Sequence, residues 1–427
     1  MHNQTTVMKG CKAGVVLFLA LALAPLEGRA AASPTPAGIG LRYDRELEAY
    51  GTLAASDPMT RLGERIASGR LRLERDPRQG YLPALLRELS IPPESQVLVY
   101  SKTSLQRYHI SGKTPRAIFF NDQAYVAWIP GAPLLEVLSI DPVLGCILHT
   151  FDQSAAEALP PVRDNRCLEC HVSTRTLDIP GTLVRSFKTA PSGEIDLLSG
   201  GRSVTHDTPM EERWGGWFVT GENGKLISRA TLLGEPLSGE ITTPKEITPW
   251  FDPGSYPRAT SDVVALMVLE HQAHMENLLI RLGYEARSLA RLNSDLKPIE
   301  PLCQVFLRYL LFADEAPLPA SLRGSGGTPF ARRFATVGEL RDRRGRSLRD
   351  LDLATRLFKH PCSYLIYSES FARLPAELRK HLYHQLWGVL SGENRDPAFA
   401  RLTAEDRKAI IDILSETKLD LPAYWKL

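Results

Sequence analysis

From Ser261 the chain reads SDVVALMVLEHQAHMENLLIRLGYEARSLARL, with apolar side chains recurring at helical spacing and no proline for roughly thirty residues. At 1.5 Å per residue such a helix is about 45 Å long, longer than a small domain is wide, so the rest of the fold must be built around it. Ser261 is the expected N-cap. His271 shares a stripe with Val264, Met267, Val268, Met275 and Leu278, and is expected to be buried.

The sequence on either side has a different texture. Residues 33–90 open on a Pro/Ala-rich linker, and DPMTRLGERIASG then predicts a helix ending at a glycine. From about 95 to 250 short β-prone runs follow one another: QVLVYS, AIFFN, AYVAWIP, LLEVLSI and CILHTF. The last two predict a hairpin turning at Asp141–Gly145. Two more are expected, turning at Pro191-Ser192-Gly193 and at Glu222-Asn223-Gly224. After the long helix, further helices are expected at 299–313, 347–357, 374–390 and 403–416. Strands first and helices second predict an α+β fold, β-rich in the N-terminal half (33–255) and α-helical in the C-terminal half (256–427), packed as one compact unit.

Residues 1–32 read as an export signal: Lys9 and Lys12 precede the short apolar run AGVVLFLALALAP, and Ala30 and Ala32 offer a small-residue cleavage site. The run is too short for a hydrocarbon core of about 30 Å. The longest later one, VVALMVL, stops at Glu270, so the mature protein is expected to be exported without a membrane span. Cleavage removes Lys9, Lys12, Arg29 and Glu27 from totals of 51 basic and 49 acidic residues, leaving a chain near neutrality. That argues against a nucleic-acid binder, which needs a strongly basic face.

Within the β-rich half lies RCLECHVS, with Cys167, Cys170 and His171 in the spacing C-x-x-C-H. Two intervening residues bring both thiols to one edge of a porphyrin, where they add to its vinyl groups while the adjacent histidine reaches the iron. A zinc site would need a second Cys or His pair at knuckle spacing, and Cys303 and Cys362 are isolated. A thioredoxin-like dithiol would sit at a strand-to-helix junction in a βαβ setting, which PPVRDNRCLECH does not supply. Covalent haem is the leading reading and a redox dithiol or metal pair the alternative. If two thiols are spent on haem, Cys146, Cys303 and Cys362 remain, enough for one disulfide and one buried thiol. Cys146, in VLGCIL, reads as a core residue.

Axial ligation sets what a haem does. Two candidates for the ligand opposite His171 stand out. His206 lies in THDTPMEERWGGW, a turn with paired glycines and tryptophans whose plainer reading is a glycine bulge among core indoles. His271 lies on the long helix, where a hydrogen-bonded core histidine is the plainer reading. Arg213 and the arginines at 332, 333, 343, 344 and 346 are candidates for haem carboxylates, although interleaved Asp and Glu favour solvated ion pairs.

Several runs together carry a resemblance: SKTSLQRYHISGKTPRAIFFNDQAYVAWIPGAP, RCLECHVSTRTLDIPGTLVRS, THDTPMEERWGGWFVTG, VLEHQAHMENL and TRLFKHPCSYLIYS. Across nearly the whole mature length the chain resembles exported bacterial proteins described as cytochrome c domain-containing. The resemblance implies one haem c held by Cys167, Cys170 and His171, and directs attention to His206, Arg213 and His271. The expected role is electron transfer to a redox partner protein. One alternative is a peroxidase-like enzyme with His206 as proton acceptor and Arg213 as charge stabiliser; another is a haem-dependent sensor or scaffold.

Overall fold

The computed structural model describes residues 50–425 apart from 199, 222–250, 320, 321, 323, 324 and 339, and the structural statements that follow concern these residues. Strands β1 (Val97–Val99), β2 (Arg116–Phe120), β3 (Ala124–Trp128), β4 (Leu134–Asp141), β5 (Gly145–Asp152), β6 (Val162–Arg163) and β9 (Trp217–Phe218) form a seven-stranded antiparallel sheet ordered β6-β5-β4-β3-β2-β1-β9. A separate ribbon pairs β7 (Arg185–Phe187) with β8 (Gly201–Ser203). The helices are α1 (Pro58–Ala67), α2 (Leu82–Glu88), α3 (Leu168–His171), α4 (Val263–Arg291), α5 (Glu300–Leu310), α6 (Pro329–Phe334), α7 (Glu369–Ala372), α8 (Ala376–Ser391) and α9 (Ala404–Thr417). The architecture is α+β, as the order of strands and helices predicted.

Directly paired residues share a face of a sheet, so the register divides its two sides. Leu98, Ala117, Phe119, Val126, Trp128, Leu135, Val137 and Phe151 point to one side, where Met59, Leu62 and Ile66 of α1 and Leu82, Leu85 and Leu86 of α2 close a core. Asp57 caps α1 by accepting from the amides of Met59 and Thr60, and its carboxylate also meets Nε2 of the buried His149 at 3.1 Å. Phe120, Tyr125, Ile140 and Cys146 point to the other side, into the larger core around α4.

That second side is only half covered. Arg116, Ile118, Ala127, Glu136, Leu138 and Thr150 share it by register, yet all six are half-buried. The sheet therefore presents an apolar platform of Ile118, Ala127 and Leu138, bordered by the Arg116–Glu136 ion pair at 3.4 Å.

Helix α4 is buried almost all round, from Val263 to Leu289. Gln272 donates to the hydroxyl of Tyr125 at 2.7 Å, and the hydroxyl of Tyr284 donates to the carbonyl of Leu144 at 2.7 Å, so the helix is fastened to the sheet at two heights. No helix among the described residues is long and apolar enough to cross a membrane.

Several local expectations are corrected. Asp262, not Ser261, caps α4, accepting from the amides of Val264 and Ala265, while the hydroxyl of Ser261 accepts from the amide of Leu98. The helix expected at 347–357 is absent. Asp352 instead accepts from the amides of Thr355 and Arg356, Leu353 is left-handed at φ 54°, and Leu351 bridges Phe358 across the loop. The hairpin expected at Asp141–Gly145 forms, and a turn closes at Pro191–Gly193 with Thr189 bridging Ile195. The one expected at Glu222–Gly224 lies outside the described residues. Cys146, Cys303 and Cys362, which the sequence left unpaired, are buried free thiols, and Cys146 is a core residue as expected.

Candidate functional site around Cys167, Cys170 and His171

Asp164 initiates the motif. Its carboxylate accepts from the amide of Arg166 and from that guanidinium, folding Asn165–Cys167 into a tight turn that runs into the single helical turn α3. The two thiols are free, Cys170 exposed and Cys167 partly so. Burial, reinforced by the charge of Asp164, pushes the Cys167 thiol up to about 11. A redox-active dithiol relies on a lowered thiol pKa, so this environment suits a thiol that serves as an attachment point better than one that serves as a nucleophile.

His171 is oriented by a reciprocal clamp. Its Nδ1 lies 2.8 Å from the carbonyl oxygen of Gly181, and the amide of Gly181 donates back to the carbonyl of His171 at 3.0 Å. A carbonyl can only accept, so Nδ1 carries the proton and Nε2 keeps its lone pair, the tautomer a metal-ligating imidazole needs. Burial also holds the ring below its usual pKa, which keeps it neutral.

Helix α4 fixes the clamp in turn. Asn277 accepts from the amide of Thr182 and donates to its carbonyl, both at 2.8 Å, and the hydroxyl of Thr182 donates to the carbonyl of Ala273 at 2.5 Å. A Cβ at Gly181 would sit 2.5 Å from Asn277 Oδ1, so only glycine allows this approach.

The surroundings are of mixed charge and partly unsatisfied. The charges of Arg116 and Glu136 on the platform act on His171, and that of Glu136 acts on Cys167. Arg185, whose guanidinium lies 4.1 Å over the Phe187 ring, is coupled to Cys170 and Arg175. The Nε atoms of Arg116 and Arg185 are both buried without a hydrogen-bond partner. Two buried guanidinium donors beside a half-covered apolar platform suit a flat apolar group that carries carboxylates. The residues present therefore fit a haem attached through this motif.

The other predicted site residues cluster with one another. The sequence reading set His206 or His271 opposite His171. In the structure the two rings bond to each other, Nδ1 to Nδ1 at 2.8 Å, and His271 Nε2 meets the Ser363 hydroxyl at 2.8 Å, so both nitrogens of His271 are occupied. The ring of Tyr309 stacks on His206 at 3.8 Å, and Phe312 stacks on both histidines. Burial lowers both imidazoles well below their usual pKa. His206 Nε2 lies 2.7 Å from Asp207 Oδ1, in a geometry that makes no hydrogen bond.

Arg213 is not a free charge either. Its guanidinium donates to Glu270 at 2.9 Å and to the carbonyls of Thr208 and His206 at 2.7 and 2.8 Å. The Trp214 indole donates to the second oxygen of Glu270 at 2.9 Å. The paired glycines of RWGGW bring backbone against β7 rather than against a ligand, since a Cβ at Gly215 would sit 2.4 Å from the carbonyl oxygen of Phe187. Of the C-terminal arginines, Arg343, Arg344 and Arg346 pair with Glu416 and Asp412.

Sequence reasoning missed Gly181, Asn277, Arg116 and Arg185. Only Arg116 carried a signal, as a cation at an inward position of an alternating strand. It also missed a cavity of about 450 Å³ between the β2–β3 turn, α4 and α6, lined by Phe120, Gln272, Glu276, Phe330 and Arg349 among others. Glu276 is 1 % exposed and its Oε2 has no partner.

Burial, with the nearby charge of Asp122 adding to it, pushes Glu276 up to about 8, against a hydrogen bond from Ser370. The folded state then holds a proton that the unfolded chain releases near 4.5, and stability falls as pH rises from there towards about 8. Glu276→Gln is therefore expected to gain on the wild type across that window, by up to about 1.4 kcal/mol per pH unit, measured by denaturant unfolding as a function of pH. Parallel stability–pH curves would contradict the assignment.

Comparison with protein-family models, with curated proteins and with solved structures finds no match.

Proposed function

We propose that the chain is an exported monohaem c-type cytochrome that passes single electrons to a partner protein. Cys167 and Cys170 would hold the haem by thioether bonds, with His171 Nε2 on the iron. The observation that carries this reading is the tautomer of His171. A C-x-x-C-H string whose histidine faced solvent would be a spacing alone, but here Gly181 accepts the Nδ1 proton and Asn277 braces the carbonyl-bearing loop.

Haem bound there would supply a one-electron iron couple whose potential depends on ligation and surroundings. The chain's own residues supply the rest. The Gly181 carbonyl orients the imidazole, Arg116 and Arg185 offer buried donors for carboxylates, and Ile118, Ala127 and Leu138 exclude water from one side. The peroxidase-like alternative asked Arg213 to stabilise charge above an open iron, and its donors are committed to Glu270, Thr208 and His206.

Absorption and paramagnetic-resonance spectra of the ferric protein test the placement of the histidines. His206→Ala and His271→Ala are each expected to keep the wild-type spin state while unfolding at lower temperature. A low-spin wild type turning high-spin in either variant would put that histidine on the iron. Electron transfer itself predicts a reversible one-electron titration with negligible peroxide turnover. Turnover abolished by His206→Ala would favour the enzyme instead.

A further inference from the structure

A second cluster of ligating side chains lies in the helical half, far along the chain from the cysteine motif. Helix α5 begins at Glu300 and packs against α8. Glu300 and Cys303 are three residues apart, and His381 and Gln385 four apart, so each pair shares one face of its helix. The faces meet: His381 Nε2 lies 2.8 Å from Glu300 Oε2, and one ligand atom from each of Glu300, Cys303 and His381 falls within 4.8 Å of the others.

The geometry points to a zinc site here, with Glu300, Cys303 and His381 as ligands and the carboxamide oxygen of Gln385 at the fourth position. A carboxylate, a thiolate and an imidazole form the mixed donor set that tetrahedral zinc takes, at about 2.0–2.3 Å from the ion. Because these atoms already lie together on two rigid helices, small side-chain rotations suffice to enclose an ion.

Gln385 supplies the independent observation. Its Oε1 is buried without a partner, while its Nε2 sits 2.5 Å from Glu300 Oε1 and 2.9 Å from His381 Nε2. A half-turn of the amide exchanges the two atoms and presents the oxygen to the place where the other ligands converge. Gln304 donates to Glu300 Oε1 at 2.8 Å and steadies the carboxylate from outside, as supporting residues of metal sites do. Cys303 is 0 % exposed and free, so it is shielded from other thiols. On binding, its thiol proton leaves to solvent and the thiolate joins the ion.

The test is zinc chloride titrated by calorimetry into the full chain after chelator treatment, with elemental analysis of the dialysed protein. One equivalent is expected in the wild type, with affinity lowered by about 100-fold or more in Cys303→Ala and in His381→Ala. His384→Ala, on the exposed side of the same helix, is expected to bind like the wild type. His381 is half-buried, so its substitution keeps the test decisive if Cys303→Ala fails to fold. No stoichiometric uptake by the wild type, or uptake surviving in His381→Ala, would overturn the assignment.

Discussion

Arg213→Ala is expected to destabilise the protein by about 3–5 kcal/mol, the loss typical when one partner of a buried ion pair is removed. Arg213 is 3 % exposed and Glu270 is 0 % exposed. Removing the guanidinium strands the carboxylate with the Trp214 indole and leaves the carbonyls of Thr208 and His206 without their donor. Burial already raises the pKa of Glu270, and the opposing pull of Arg213 would be gone. With Arg213 in place the carboxyl is already pushed up to about 7, and without it the shift is larger, so the deficit grows as pH rises above that value.

The pair also has a positional job. It pins the segment after His206 to the N-terminal half of α4, where Trp214 sits at φ 69° and Gly215 lies against β7. Arg213→Met combined with Glu270→Leu is expected to recover most of the loss, because apolar replacement of both partners removes the stranded charge. Denaturant unfolding of the two single variants and the double variant measures this. A cost below about 1 kcal/mol for Arg213→Ala would mean that the pair does not hold this segment.

Much of the scaffold was legible in the sequence. LLEVLSIDPVLGCILHTF alternates and turns at one place, and it forms the β4–β5 hairpin from Leu134 to Asp152. The long helix was legible because its apolar residues leave it no exposed state. The segment 347–357 misled because SLRDLDLATRL carries four leucines and no proline or glycine to break a helix. Leu348 and Leu357 are indeed buried, and Leu351 packs against the same core, but an Asp352 turn delivers them from a loop.

The candidate site divides in the same way. The C-x-x-C-H spacing is local and could be read directly. What orients it comes from Gly181 and from Asn277, distant in sequence, and no local pattern announces either. His206 and His271 lie 65 residues apart and were singled out separately, each as a partner for iron. That they would meet one another depends on where Tyr309, Phe312 and Ser363 pack, which only the fold decides. That Glu300 would meet His381 was hidden for the same reason: they lie 81 residues apart, and His381, on the polar run ELRKHLYHQLW, reads as part of a solvated face.

The second large effect concerns attachment. Two thioether bonds are covalent, so their loss is all or none on a denaturing gel, unlike the graded cost of a weakened ligand. Cys167→Ala with Cys170→Ala is expected to abolish covalently retained haem, whereas His171→Ala should retain haem on the gel but alter the spectrum, since it removes a ligand and leaves both thiols. Cys303→Ala and Cys362→Ala are expected to retain it fully, because both thiols are buried in the helical core. This pattern separates the motif from the other thiols of the chain.

The most direct test is to express the full chain in a host competent for c-type maturation, run it on a denaturing gel and stain for haem, with a pyridine haemochrome spectrum for stoichiometry. One haem per chain, retained through denaturation and lost in the Cys167→Ala/Cys170→Ala variant, is the result predicted here. A protein that folds and accumulates under those conditions without covalent haem would contradict it.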